Sequence, residues 1–450
     1  MPWCSGHGPG RRSTPSRLPC AELARLGTRV EWNTEVTDLK VHEDRAEYTL
    51  RHGDGTVESA AAPWIVGCEG TASVVRDRLG IPFEGRRRTG LQVVQGNARP
   101  TWTLGERPGR GHIFLAPHRS LLVFPLPGGG FRFFCFRDDP DPALTAAPTV
   151  DELRDLVADT TRIPGLRLET TEPLWLNRAR FGDRVAARLR RGRVLLAGDA
   201  AHTLSPSGGL GLATGVGDAA DLGWKLAAEL AGWAGPGLLD AYESERRPVA
   251  VACLEESHRN LRRTVDRRLS GALCDATPEG ERERAALGRE IAASDPGREF
   301  TVPDAHFAYR YTSPVIADEK TERTGGEDSG PGGEPWWNRT ALPGARAPHV
   351  PLGPGRSTLD LFGPGFVLLC LGPGPYAAPA PGPGAPDGLV RAFAERRVPL
   401  GVVRCRDEEV ARRYERPFVL VRPDGHVAWR GTAPPADPGR LADLVRGAGA

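Results

Sequence analysis

The sequence predicts an α/β fold built in more than one unit, and three stretches carry that prediction. Residues 192–230 read GRVLLAGDAAHTLSPSGGLGLATGVGDAADLGWKLAAEL: an apolar run, an acidic turn, a Gly-rich bend and a long helical pattern. Residues 86–180 hold four short β-like segments between Pro/Gly turns. Residues 341–450 alternate apolar strand-like runs with helical ones.

A chain of 450 residues can bury a large core and divides into two or three domains. Its 59 basic and 57 acidic residues leave a net charge of +2, too balanced to point to nucleic acid or an anionic membrane. Eight cysteines are scattered without a CxxC pair or a histidine at metal-ligand spacing, so free thiols in a reducing cytosol are expected and no metal site is predicted. The longest apolar runs are too short to span a bilayer. No apolar segment follows Arg11 and Arg12, so no export signal is read. The expected location is cytoplasmic.

In chain order, residues 1–19 lack periodicity and read as a disordered basic arm. Residues 20–26 read as a short helix, and 28–33, 36–41, 46–51 and 56–61 as strands, with Gly53-Asp54-Gly55 as a hairpin turn. A buried strand at 64–66 runs into Cys68-Glu69-Gly70 and a helix at 73–79. Strands are expected at 91–98, 112–116, 121–125 and 131–136. Thr149 and Glu152 are spaced as a capping box for a helix at 149–159. Residues 172–179 read as a strand. Trp102, Phe114, Phe124, Phe133 and Trp175 are either pocket lining or core. His112 and His118 suit either a surface or a proton-accepting role.

Residues 193–197 read as a buried strand ended by Gly198 and Asp199. The helix after the bend carries Leu212, Val216, Ala219, Ala220, Leu226, Ala227 and Leu230 at helical spacing, which predicts the buried face. A helix start beside glycines is a geometry for holding an anion, because its free N–H groups and dipole favour negative charge. Residues 238–248 are a helix expected to be cut at Pro248, and 250–290 continue helically. Residues 318–340 read as a linker. In 341–450, strands are expected at 358–362, 366–371, 401–405, 418–421 and 426–429, and helices at 389–395, 407–414 and 441–445.

The 192–230 stretch resembles the second flavin-binding motif of the class A FAD-dependent aromatic hydroxylases, the phenol and p-hydroxybenzoate hydroxylase-like flavoprotein monooxygenases. The resemblance implies that Gly198 and Asp199 hold the ribityl chain of FAD. It places Pro206, Gly208, Gly209, Gly211, Leu212 and Ala213 against the pyrophosphate and flavin ring. Leu210 and Ala213 depart from the family's usual residues. The stretch 63–85 resembles the family's Asp-Gly motif, with Glu69 in place of the usual Asp, followed by Gly70 and the helix arginine Arg76. Residues 306–314, HFAYRYTSP, resemble a segment of the phenol-hydroxylase branch.

The implied fold is α/β: an incomplete Rossmann-like FAD-binding domain (20–85 and 181–260) with an inserted antiparallel β substrate domain (86–180). A helical connecting region (261–317), the linker (318–340) and a C-terminal thioredoxin-like domain without CxxC (341–450) complete it. That tail implies a packing or dimerisation role, the latter as a homodimer. The family's N-terminal GxGxxG unit, which binds the ADP half of FAD, has no counterpart here. A misassigned start, a truncated or frameshifted gene, and a missing half supplied by another chain are the three explanations. The chain alone is expected to bind FAD weakly.

The resemblance implies an NAD(P)H- and O2-dependent monooxygenase that hydroxylates a phenolic or polycyclic aromatic through a flavin C4a-hydroperoxide. The cofactor supplies the chemistry and no protein side chain is assigned as catalytic. A truncated, non-catalytic remnant or interaction protein is the alternative. A related flavin halogenase or reductase is a third reading, against which the tail argues.

Overall fold

The computed structural model describes residues 14–102, 110–117, 119–137, 146–171, 174–265, 269–294, 307–319, 338, 340–372 and 386–449. The chain opens on α1 (Thr14–Arg25). Residues 14–19, expected in the arm, therefore lie in this helix, and 1–13 lie outside the described residues. Pro15 falls in its first turn, where the N–H groups have no helical partner and a proline loses nothing. Residues 28–33 form turn and irregular structure rather than the expected strand. Three strands, β1 (Thr34–Val41), β2 (Ala46–His52) and β3 (Val57–Ala62), then make an antiparallel meander.

The next strand is short but central to the topology. β4 (Ile65–Gly67) runs parallel to β12 (Val194–Leu196), with Ile65 opposite Val194 and Gly67 opposite Leu196. β11 (Arg190–Arg191) completes this sheet in the order β11-β12-β4. β12 is buried on both faces, which is why it reads as an unbroken apolar run. Parallel pairing brings two loops far apart in sequence, 68–73 after β4 and 197–209 after β12, to the same edge. The short helix α2 (Val74–Arg78) follows the first loop, and Ser73 caps it by accepting the Arg76 N–H.

The region that follows is built on one long antiparallel sheet. Its strands are β5 (Phe83–Pro100), β6 (His112–Ala116), β7 (Arg119–Pro125), β8 (Phe131–Arg137), β9 (Leu168–Thr170), β10 (Leu176–Ala186) and β13 (His202–Thr203). The order is β13-β10-β5-β8-β7-β6, with β9 on β5. The return strand β10 begins later than expected and runs on to Ala186, while 172–173 lie outside the described residues. α3 (Val150–Thr161) covers one face of the sheet with Leu153, Leu156 and Val157. Thr149 accepts the Glu152 N–H as predicted. The Glu152 carboxylate, however, accepts from Arg178 at 2.8 Å instead of closing the capping box. A charge-assisted pair on a largely buried arginine outcompetes a solvent-side backbone N–H.

α4 (Leu210–Leu230) and α5 (Asp240–Thr264) pack together behind the second loop. α5 passes straight through Pro248, where a break was expected, and α6 (Pro278–Ala293) is a separate helix. A small hairpin, β14 (Pro351–Gly353) and β15 (Arg356–Ser357), precedes the C-terminal unit. That unit has strand order β17-β16-β18-β19, from β16 (Phe366–Leu371), β17 (Leu400–Cys405), β18 (Phe418–Val421) and β19 (Val427–Gly431). The β16–β17 pair is parallel and the rest antiparallel. Its helices are α7 (Asp387–Glu395), α8 (Glu408–Tyr414) and α9 (Pro438–Val445). β16 alternates between two cores: Phe366, Leu368 and Cys370 face α7 and α9, whereas Val367, Leu369 and Leu371 face α8.

The first of these cores does not stop at the domain edge. It continues through Trp224 and Ala228 of α4, Trp233 and Leu238 of the connection to α5, and Val249 of α5. Trp224 lies edge-on to Phe366 at 5.8 Å between centroids. The end of the chain hooks onto the α4–α5 turn, where Gly235 donates to the Arg446 carbonyl at 2.6 Å and Gly237 to the Gly447 carbonyl at 2.9 Å. A Cβ on Gly235 would stand 2.4 Å from the Ala448 nitrogen, so only glycine allows this approach. The packing role expected for the tail is thus realised within one chain.

One sequence expectation is inverted. The α4 face bearing Leu212, Val216, Ala219, Ala220, Ala227 and Leu230 is exposed, with Leu212 83% and Leu230 67% accessible. Leu226 is half-buried. The helix instead buries Leu210, Thr214, Asp218, Asp221, Leu222, Trp224, Lys225 and Ala228. Charges occupy the inner stripe because each finds a partner there, which offsets the cost of burying it.

Candidate flavin site

The two loops that β4 and β12 align are each held from within. After β4, Glu69 turns back on the start of α2, accepting Ser73 Oγ at 2.5 Å and the Val75 N–H at 2.8 Å. Glu69 is therefore a helix-start acceptor here, while Gly70 takes φ +93°. Arg76 is buried. Its guanidinium donates to the Ala200 carbonyl at 3.1 Å and to the Thr71 carbonyl at 3.1 Å, and it stacks 4.0 Å from the Phe83 ring centroid. Arg76 thus ties the first loop to the second.

The second loop leaves β12 through Gly198, whose φ of +59° favours glycine. A single 3-10 turn holds half-buried Asp199. Ser205 is pinned on both sides: its N–H donates to Asp183 Oδ1 of β10 at 3.0 Å, and its carbonyl accepts Ser257 Oγ of α5 at 2.9 Å. Pro206 accepts the Gly209 N–H at 3.0 Å, and Gly208 and Gly209 take φ +87° and +65°. Gly209 stands at the N-cap of α4 with no side-chain cap, and the first turn of the helix has no acidic residue. The N–H groups at the start of a 21-residue helix, those of Leu210, Gly211 and Leu212, are left for another partner.

Behind the loop lies a cluster that the sequence reading missed. Asp218 of α4 accepts the Gly198 N–H at 3.0 Å through Oδ2, and the same oxygen lies 2.7 Å from His202 Nε2. Its other oxygen accepts Arg246 Nε of α5 at 2.9 Å. Arg246 also donates to the Thr214 carbonyl at 2.9 Å and to Tyr311 Oη at 3.0 Å. Burial pushes the Asp218 carboxyl up, but His202 and Arg246 outweigh it and hold the carboxyl below its ordinary value. Tyr311, from the HFAYRYTSP segment, thereby gains a structural role, while His306 lies outside the described residues. The one legible signal was the spacing of Asp218, Asp221 and Lys225 along a single helical stripe.

The sheet presents two apolar faces. Trp102, Phe114 and Phe133 belong to the core under α3, with Trp102 stacked on Phe114 at 5.7 Å. The face toward α5 carries Leu91, Val93, Leu122, Phe136 and Phe181 with Leu261 and Val265, and Phe124 and Phe134 pack on it. Of the five aromatics singled out in the sequence, Phe124 is on this inner face. Beside it stands Arg132, cross-strand from both Phe124 and Asn97. Arg132 donates to Asn97 Oδ1 at 3.0 Å and stacks 4.3 Å from the Trp175 ring, with no carboxylate in contact among the described residues. Burial lowers its guanidinium's affinity for its proton. His112 lies half-buried at 6.5 Å from the Phe114 ring, and His118 lies outside the described residues.

Residues 17–257 match the family described as FAD binding domain, and 340–448 match the aromatic-ring hydroxylase C-terminal family. The chain belongs to the FAD-dependent aromatic-ring hydroxylases. Within them it is 40% identical over 257 residues to dialkyldecalin synthase of Streptomyces rugosporus, covering 54% of this chain and 53% of that protein. It is 30% identical over 418 residues to rifampicin monooxygenase of Streptomyces venezuelae, covering 92% of this chain and 74% of that one. The rebeccamycin biosynthetic enzyme RebC, solved with reduced flavin, superposes with a TM-score of 0.77 at 40% identity. It covers 95% of this chain and 76% of its own. The chain thus spans about half to three quarters of these hydroxylase-family proteins. Among the described residues no helix is long and apolar enough to cross a membrane.

The site fits a flavin dinucleotide in two respects. The α4 start is uncapped and free of acid. Three polar side-chain atoms along the loop, His202 Nδ1, Thr203 Oγ1 and Ser207 Oγ, are buried with no partner. Buried polar atoms of this kind ordinarily find one.

Proposed function

We propose that this chain is an FAD-dependent monooxygenase that hydroxylates a polycyclic aromatic, with NAD(P)H as reductant and O2 as oxidant. The observation that supports this reading most is the alignment of the two motif loops by β4 and β12, with the open start of α4 beside them. Asp199 would hold the ribityl hydroxyls, and the N–H groups of Leu210, Gly211 and Leu212 would face negative charge on the pyrophosphate and ring. Glu69, Gly70 and Arg76 would act by shaping the neighbouring loop. When bound, FAD supplies the oxygen-transfer chemistry. The protein's part is to orient the substrate and exclude water, and the apolar inner face of the sheet suits both.

Arg132 narrows the substrate class. A half-buried guanidinium with no carboxylate partner among the described residues, set among aromatic rings, suits a planar substrate carrying an anionic group. RebC was solved with bound 7-carboxy-K252c, a carboxylated ligand. The test is NAD(P)H oxidation by purified protein with FAD, stimulated by a carboxylated polycyclic aromatic, and product mass under 18O2. A product that gains one 18O atom supports the reading. No stimulation and no label would overturn it. A product formed without label would favour a synthase activity, the reading raised by the dialkyldecalin synthase likeness.

A further inference from the structure

Charges withdrawn from water persist only where they are paired, and a buried pair is held in one geometry by its hydrogen bonds. Between α4, α5 and the β18–β19 hairpin of the C-terminal domain lies such a set. Arg422 is fully buried and donates to Glu245 Oε1 at 2.7 Å, to Glu245 Oε2 at 2.8 Å and to Asp221 Oδ1 at 2.8 Å. It also contacts Asp424 of its own turn, which accepts from Trp224 Nε1 at 3.3 Å and from the His426 N–H at 3.2 Å. Lys225 donates to Asp221 at 2.7 Å and to Glu245 at 2.6 Å. The C-terminal guanidinium therefore bridges one carboxylate from α4 and one from α5, which fixes the register between the two helices.

That register is the one on which the cofactor-side loop depends. Glu245 is followed by Arg246, and one helical turn before Asp221 stands Asp218. Those two residues form the pair that receives the Gly198 N–H and His202. We infer that Arg422 is a positioning residue for the 198–202 turn, so that the C-terminal domain is part of the flavin site's scaffold. This inference rests on the proposed flavin site only for its functional meaning. The mechanical link is a property of the chain by itself.

The test is hydrogen–deuterium exchange of the full chain without added flavin, read in peptides spanning 197–203. Arg422→Lys keeps the charge and removes the fork that bridges two carboxylates. It should speed exchange at 197–203 by about tenfold. Arg430→Lys is the control, because Arg430 pairs with Glu319 and Glu415, away from α4. It should leave 197–203 unchanged. Unchanged exchange in Arg422→Lys, or an equal rise in both variants, overturns the inference. If Arg422→Lys fails to accumulate, Asp424→Asn tests the same link and should shift exchange in the same direction. A parallel FAD fluorescence titration should show Arg422→Lys binding about tenfold more weakly. If wild type binds no FAD while the exchange difference persists, the flavin reading fails and the positioning role stands.

Discussion

Arg246 donates from Nε to Asp218 Oδ1 at 2.9 Å, and both side chains are closed off from solvent. The pair joins α5 to α4 directly beneath the Gly198 turn. Removing one partner strands the other charge in a low-dielectric interior. Asp218→Ala should therefore cost roughly 3–5 kcal/mol of stability, measured by chemical denaturation.

The same carboxyl sets an acid limit. The Asp218 value is depressed in the folded chain, so its stabilisation is fully present above the unfolded value of about 3.9. It is lost as pH falls through the folded value, below that point. Wild type should lose more melting temperature between pH 5 and pH 3 than Asp218→Asn does, measured by thermal scans. An equal loss in both proteins would rule out Asp218 as a contributor to the acid limb.

The orientation of α4 can be tested by paired substitutions. Leu212→Gln and Val216→Gln lie on the exposed stripe and should change stability by no more than about 0.5 kcal/mol. Trp224→Ala empties a site between Trp233 and Phe366 and should cost about 3–5 kcal/mol. Reversed sensitivities would restore the face that periodicity predicted.

Much of the local structure was legible in residue order, because it follows from backbone demands. Gly198, Gly208 and Gly209 sit at positive φ, and Thr149 caps α3, each where its type is required. The orientation of α4 was not legible. A 3.6-residue period finds a stripe, but the buried stripe here is charged, and its partners Arg246 and Arg422 lie on other elements. No local pattern shows that Asp221 will be paired with Arg422, which stands 201 positions away in the chain. The sheet aromatics stayed open between pocket lining and core for a related reason. Alternation separates Phe133 from Phe134, yet both faces of this sheet are apolar, so alternation alone does not say which faces α5.

Docking of the C-terminal unit depends on one close approach. Gly235→Ala places a methyl against the 447–448 backbone and should destabilise by about 1–3 kcal/mol. Limited proteolysis should then release the C-terminal unit faster than from wild type. An unchanged cleavage rate would show that the hook is incidental.

If Arg132 reads an anionic group, Arg132→Met should raise KM for a carboxylated polycyclic substrate by about tenfold or more. KM for its uncharged amide should change little. An equal effect on both substrates would assign Arg132 to packing against Trp175 alone.

Whether FAD lies along the turn from Gly198 to Ala213 is read from a fluorescence titration of FAD against wild type and Asp199→Ala. The expected result is quenching on wild type and a Kd raised about tenfold or more in the variant, at equal melting temperature of the apo-proteins. Equal affinity in both proteins, or no quenching by wild type, would contradict it.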